Sequence, residues 1–309
     1  MKRSKVLREL LAKKELLIVP AAYDALSAKI IEQAGFKVIG VSGYGISATM
    51  LGKPDVGLTT LTEVVNVARY IASAVKIPVF CDADTGYGNA INVMRTTEEF
   101  ILAGVAGVHI EDQVAPKRCG HVAGKQVVSV EEAVGKYRAA DHIRRELDPD
   151  FVLIARTDAL GAIGGSIEEV IRRGKAYIEA GADVIFPDGI TSVEVLQRCV
   201  HEIPAPIMYN MVGVSPLLPM SQLQEMGVAI VANAGGAFRS ATRALWDYMQ
   251  AFAKGGTDFL IQFERDIQGH PTANFHQFIG FAEIRKLEEE YLPSEEVQRK
   301  YAQSIGYQP

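Results

Sequence analysis

IPVFCDAD, residues 77–84, is an apolar run that stops abruptly on two aspartates. It is too short for a helix and rich in branched and aromatic side chains, so it reads as a buried strand with a polar end. The pattern recurs at ELLIVPAAY (15–23), KVIGVSG (37–43), GVHIED (107–112), FVLIARTD (151–158), DVIFPDG (183–189), PIMYNM (206–211) and VAIVANA (228–234). A longer helical pattern follows each run, and glycine-bearing junctions such as AGF, AGAD and MGV mark where helices stop and strands begin. Continuous apolar strands alternating with amphipathic helices require a parallel sheet covered on both faces. Eight such units predict a (β/α)8 TIM-type barrel rather than an open doubly wound sheet. No G-x-G-x-x-G and no P-loop follows any strand, which counts against dinucleotide and P-loop folds.

The remaining chain fits one domain spanning 1–309. Residues 243–309 form a helical extension, interrupted by the polar QGHPTANFH (268–276), that packs outside the barrel or on a neighbouring subunit. The 309 residues are 48% hydrophobic with a net charge of -5 and no run of five like charges, so nucleic-acid binding is not expected. MKRSKVLRELLAKKELLIVP at the N-terminus has amphipathic spacing and lacks the continuous apolar core of a signal peptide. No apolar segment is long enough to predict a membrane span. The three cysteines are widely spaced without a CxxC pair, the pattern of a reduced, cytoplasmic protein.

In such a barrel the chemistry sits where strands end. Nearly every strand here ends on a polar or ionisable residue: Ser42-Gly43-Tyr44, Asp82 with Asp84, His109 with Glu111 and Asp112, Arg156 with Asp158, Asp188, Asn210 and Asn233. Asp82 and Asp84 stand two apart, a spacing that puts both carboxylates on one strand face, and Glu111 on the next strand adds a third. Buried carboxylates repel, so a cation is the economical partner, and an all-oxygen set favours Mg2+, with Mn2+ also suitable. The structural alternative is helix capping and ion pairing to Arg156 or Lys117. Arg156 has the fork to hold a substrate carboxylate or an oxyanion, or to pair with Asp158. Cys119 lies in PKRCGH, flanked by Lys117, Arg118 and His121, which lower the cost of a thiolate. Gly120 and Gly124 let that loop move over the barrel mouth. Cys81 and Cys199 read as core thiols.

SGYGISATMLGKPDVG, DADTGYG, HIEDQVAPKRCGH, ARTDA and AGADVIFPD, in that order, resemble the isocitrate lyase/phosphoenolpyruvate mutase superfamily over almost the whole chain. The SGY and PKRCGH elements are most similar to its 2-methylisocitrate lyase, 2,3-dimethylmalate lyase and petal-death-protein branch. The resemblance implies a homotetramer with a swapped helix. It also implies a Mg2+-dependent carbon–carbon lyase that cleaves a 2-hydroxy di- or tricarboxylate to pyruvate or a similar oxo acid. Carried over, Asp84 would bind Mg2+, with Asp82, Glu111 and Asp188 assisting through water. Ser42, Gly43, Tyr44, Gly120 and His121 would contact substrate, and Asp55 would lie near the reacting centre. Arg156 would hold the 2-oxy group, and Cys119 would protonate the carbanion-like product, tuned by Lys117 and His121. Oxaloacetate hydrolysis or decarboxylation, or phosphonate P–C chemistry, is the alternative on the same barrel, and a non-catalytic scaffold is a third reading.

Two departures stand out. Asp188 replaces the family's usual glutamate. The strand-seven loop NMVGVSP (210–216) is short and lacks the usual glutamate, leaving Asn210, Ser215 and the more distant Arg239 as candidates for the substrate's distal half.

Overall fold

The computed structural model describes residues 2–302 and 304–309. Eight parallel strands form the sheet: β1 (Leu17–Ala22), β2 (Ile39–Val41), β3 (Val79–Asp82), β4 (Gly107–Glu111), β5 (Val152–Thr157), β6 (Val184–Pro187), β7 (Met208–Asn210) and β8 (Ile230–Asn233). Their order is β6-β5-β4-β3-β2-β1-β8-β7, and a parallel bridge between Ile185 and Ile207 brings the two ends together. Each strand falls inside one of the eight apolar runs, and the (β/α)8 barrel follows.

Two apolar layers hold the barrel. Val41, Cys81, Val108, Ile110, Leu153, Ala155 and Ile185 point outward into the layer beneath the helices. Val19, Phe80, Ile154, Phe186, Met208 and Ile230 fill the interior. The alternation is the period-two signature of strands packed on both faces. Helix starts carry side-chain caps: Asp24, Thr60 and Asn89 each complete a capping box, and Ser129, Ser166 and Ser192 accept from a first-turn N–H.

The N-terminal helix, Arg3–Ala12, plugs one end of the barrel. Leu7 joins the interior layer at 1% exposure. Arg8 donates to the carbonyls of Asp150 and Phe151 and pairs with Asp183, all at the starts of β5 and β6. With that end closed by the helix, the polar residues at the strand C-termini converge on a chamber at the other end.

The chain divides into two compact units, one running to Ala241 and the other from Thr242. The long helix Gly236–Asp266 starts seven residues before the helical extension expected from sequence, and breaks at Gly256, whose φ is 53°. In the second unit Tyr248, Phe252, Phe259 and Phe263 cluster along this helix, followed by Phe275–Ile279, Phe281–Tyr291 and Ser294–Ala302. No described residue of the long helix is buried.

Candidate active site

A cavity of about 480 Å3 opens at the C-terminal end of the strands. Strand register builds its floor. Asp82 lies beside His109, Glu111 beside Arg156, and Arg156 beside Phe186, so adjacent strands deliver acid, base and cation on two successive rungs. The strand-face expectation for Asp84 does not hold. β3 ends at Asp82, and Asp84 sits in a tight turn with φ 47°, its N–H donating to Asp82 Oδ1 at 3.0 Å. The turn still returns the Asp84 carboxylate to the cluster.

Arg156 is the hub. It contacts Glu111 at 3.1 Å, Asp158 at 2.9 Å and Asp188 at 2.7 Å, with its guanidinium 5.3 Å from the centre of the Phe186 ring. Pairing with Asp158 therefore coexists with contact to the cavity rather than replacing it. Lys117 is the second hub. Its Nζ lies 2.7 Å from both Asp55 Oδ2 and Asp84 Oδ1, at 2% side-chain exposure.

Electrostatics follow from this wiring. Burial works to raise the Asp188 pKa, but Arg156, His121 and Lys125 together outweigh it and hold that carboxyl well below its usual range. Burial pushes Asp84 up to about 6 against the pull of Lys117. Burial also drives Glu111 far up, opposed by Arg156 and Lys117. Lys117 stays an ammonium because Glu111, Asp84, Asp82 and Asp55 together overcome its desolvation.

Those same groups test the fit of a divalent cation. Asp55, Asp82, Asp84, Glu111, Asp158 and Asp188 are all buried around the hubs, six carboxylates against three buried cations: Lys117, Lys125 and Arg156. Glu111 Oε1 has neither a hydrogen bond nor an ion-pair contact, while Glu111 Oε2, Asp84 Oδ1 and Asp188 Oδ1 are met by ion-pair contacts to Arg156, Lys117 and His121. Unsatisfied carboxylate oxygens in an acid-rich cluster are the donors that Mg2+ takes. Among the described residues, no three acidic, His or Cys side chains already converge as a preformed ligand set. A hard cation here would fill its shell with water.

Cys119 forms part of the cavity wall, half-buried. The expectation from sequence was a thiol eased toward thiolate by Lys117, Arg118 and His121. Instead burial dominates and raises its pKa. The opposing influences are the His121 backbone N–H and the Arg156 charge, and Lys117 is spent on Asp55 and Asp84. The group is a thiol, suited to give a proton rather than to attack as an anion.

Gly120 explains why that loop position is glycine. A Cβ there would collide with Asp188 Oδ2 and the Arg156 guanidinium and lie 2.9 Å from Asp158 Oδ1. The loop backbone thus lies directly on the Arg156 ion pairs. His121 follows, Nε2 3.4 Å from Asp188 Oδ1, with both ring nitrogens buried and lacking hydrogen bonds.

Ser42, Tyr44, Asp55, Asp82, Cys119 and Gly120 stand at the cavity wall, as do His121, Arg156, Asp188, Asn210 and Arg239. Ser42 Oγ is engaged as the cap of the short helix Gly43–Ile46, accepting from Gly45. Gly43, Asp84, Glu111, Lys117 and Ser215 are outside the wall. Gly43 backs Asp82, where a Cβ would fall 2.8 Å from Oδ2. Ser215 lies buried below the strand-seven loop near Tyr209, so it does not line the distal half of the chamber. Asp112 does not reach the chamber: it accepts from Thr157, Tyr177 and the Asp158 backbone N–H and pairs with Arg173.

Sequence reasoning missed the apolar half of the chamber. Val122, Val212, Met208 and Phe238 line it, and Tyr44 stacks on Phe238 at 5.5 Å. It also missed Lys125, which no motif marks. Their signal was position alone, after the thiol or opposite it.

The family model described as phosphoenolpyruvate phosphomutase matches residues 7–253. A 2,3-dimethylmalate lyase of Eubacterium barkeri is 42% identical over 92% of this chain and 96% of its own. A 2-methylisocitrate lyase of Aeropyrum pernix is 38% identical, covering 92% of this chain and 90% of its own. The structure of an oxaloacetate acetylhydrolase bound to 3,3-difluorooxalacetate superposes with a TM-score of 0.85 at 35% identity, covering 94% of this chain and 97% of that one. The chain belongs to the phosphoenolpyruvate mutase/isocitrate lyase superfamily.

Proposed function

We propose that the protein is a Mg2+-dependent carbon–carbon lyase that cleaves a 2-hydroxy di- or tricarboxylate into pyruvate or a similar oxo acid and a carboxylic acid. The carrying observation is a cysteine, Cys119, held at the chamber wall by a loop seated on Arg156 and facing a carboxylate-rich floor.

Cleavage breaks the C2–C3 bond after the 2-hydroxyl loses its proton, and the bonding pair passes to C3, delocalised into the adjoining carboxylate. Asp55, a wall carboxylate held by Lys117, takes the hydroxyl proton. Cys119 gives its thiol proton to C3. Asp55 and Cys119 both stand at the chamber wall, and passage of the first proton from Asp55 to the thiolate as product leaves restores both groups. Arg156 binds the 2-oxy and carboxylate oxygens and steadies the charge that grows there. Mg2+, held through Asp82, Asp84, Glu111 and Asp188 with water, would add further neutralisation of those oxygens. The His121 and Gly120 backbone, closed over the site, keeps water from the carbanion-like intermediate.

The distal half offers Arg239 as its cation and a wall of Val122, Val212 and Phe238. That lining supports a substrate with one distal carboxylate and methyl groups over a tricarboxylate. A homotetramer, with the exposed apolar residues of the long helix covered by a neighbouring copy, and a cytoplasmic setting for the three free thiols are part of this reading.

The test is turnover of 2,3-dimethylmalate and 2-methylisocitrate with added Mg2+, pyruvate being read by a coupled dehydrogenase. Oxaloacetate belongs in the same panel, because the 35%-identical structural neighbour is an oxaloacetate acetylhydrolase. Oxalate release without pyruvate would replace the lyase reading. No turnover together with no shift in Tm on adding oxalate and Mg2+ would leave a scaffold.

A further inference from the structure

The loop after β4 is fixed at two places. At its base Gln113 bridges Val127, and the Gln113 side chain holds Arg118 twice, donating to its carbonyl and accepting from its N–H. At its far end Lys125 crosses into the barrel. Its backbone pairs with Ala162 and accepts from Ile163, while its side chain is buried at 3% exposure. The ammonium donates to the Gly120 carbonyl and lies 3.4 Å from Asp158 Oδ1. Burying an ammonium costs several kcal/mol unless it is fully partnered. A loop that needed only a staple could use a neutral side chain.

Asp158 gives the charge a purpose. Its Oδ1 is shared between Arg156, at 3.2 Å, and Lys125, and its Oδ2 accepts from Arg156 Nε at 2.9 Å. With the loop seated, Lys125 takes part of the Asp158 charge that would otherwise fall wholly on Arg156. The guanidinium is then less committed to its own strand and better able to bind an anion in the chamber. The same ammonium fixes Gly120, the residue joined to Cys119.

We propose that Lys125 is a positioning residue that latches the Cys119 loop shut and, through Asp158, readies Arg156 for substrate. It acts through Gly120 and Asp158 and does not touch the chamber. The role rests on the lyase reading for its effect on turnover, but the latch itself can be read without any substrate.

Two variants test it. Lys125→Met removes the charge and keeps the length. Gly161→Ala leaves Lys125 in place but crowds it, since a Cβ at Gly161 would fall 2.8 Å from Nζ and 3.1 Å from Cε, and the Gly161 backbone is not left-handed. Gly161 is exposed, so this change disturbs little else. The first readout is the maleimide labelling rate of Cys119 with oxalate and Mg2+ present, the buried Cys81 and Cys199 serving as inert internal references. Lys125→Met should label about tenfold faster than the parent as the loop opens more often. Its kcat for the best substrate should fall about 100-fold because the acid is misplaced, and KM should rise by a smaller factor because Arg156 is then held more fully by Asp158. Gly161→Ala should move both readouts the same way by a smaller factor. Parent-like labelling in both variants overturns the latch, whatever the turnover. So does a loss of kcat that only tracks a lowered folded fraction in a urea melt. If the parent turns over no substrate, the lyase reading fails alone, and labelling still decides the latch.

Discussion

Replacing Cys119 by serine isolates proton donation from packing. The hydroxyl keeps the volume and can accept the His121 backbone N–H that the thiol sulfur accepts. Stability should therefore change by no more than about 1 kcal/mol. The chemistry should change much more. A positioned general acid contributes about 10^2- to 10^4-fold, which is about 2.7–5.4 kcal/mol at 1.36 kcal/mol per decade, and an alcohol is a far weaker acid than a thiol. Expected is a kcat loss of two decades or more at near-constant KM, in the coupled pyruvate assay on 2,3-dimethylmalate. The pH profile adds a second signature. Cys119 acts protonated, and burial raises its pKa, so kcat should be level through neutrality and fall only as pH rises past the ordinary thiol range of about 8.5. The serine variant should lose that alkaline fall. Retention of more than a tenth of parental kcat, or a parental profile that rises with pH through the thiol range, would refute the assignment of Cys119 as an acid.

Three further changes follow from the same geometry. Gly120→Ala should unseat the loop from the Arg156–Asp188 pair and cut kcat/KM by about 100-fold, while Tm moves little because an open loop relieves the collision; parental kinetics would contradict the seating. Arg156→Met removes the cation shared by three buried carboxylates and should cost about 3–5 kcal/mol in urea melts at neutral pH, less at acid pH where Glu111 and Asp188 can take protons; a loss under 1 kcal/mol would show that the cluster relaxes. Light scattering at micromolar concentration should give four copies, and aspartate at Trp246 (65% exposed) and Met249 (49% exposed) should reduce that mass if the long helix is the contact; an unchanged tetramer would place the interface elsewhere.

The barrel was legible because its determinants are local. Buried strands such as FVLIARTD must be apolar until their polar end, and junctions such as AGAD mark where a helix gives way to the next strand. The convergence of Asp82, Glu111, Arg156 and Asp188 followed from topology, since every parallel strand ends at the same rim. What escaped was pairwise wiring across the chain. That Lys117 would join Asp55 to Asp84, 62 and 33 positions away, depends on how one loop folds back. The Cys119 thiol shows the same limit. Its cationic neighbours in sequence predicted an eased thiolate, but Lys117 turns to other carboxylates and burial decides the sign. Asp84 fails the period-two argument for a local reason, because the strand ends one residue after Cys81 and a tight turn begins.

The short strand-seven loop, a gap when read against the family pattern, acquires a structural role once His121 is placed. A Cβ on Gly213 would fall 2.5 Å from the His121 ring, so the histidine packs on bare backbone, at a residue whose φ of 60° itself favours glycine. The loop that brings Cys119 into the chamber and the loop after β7 are thus cut to fit one another: Gly120 meets Arg156 below, and His121 meets Gly213 across the mouth. Shortening the loop also sets what remains of the distal wall. With no acid there, Val212, Val122 and Phe238 meet the far end of the substrate, and Arg239 is its nearest cation. Loop fit and substrate choice are therefore one property of this chain, and a change at Gly213 should alter both together.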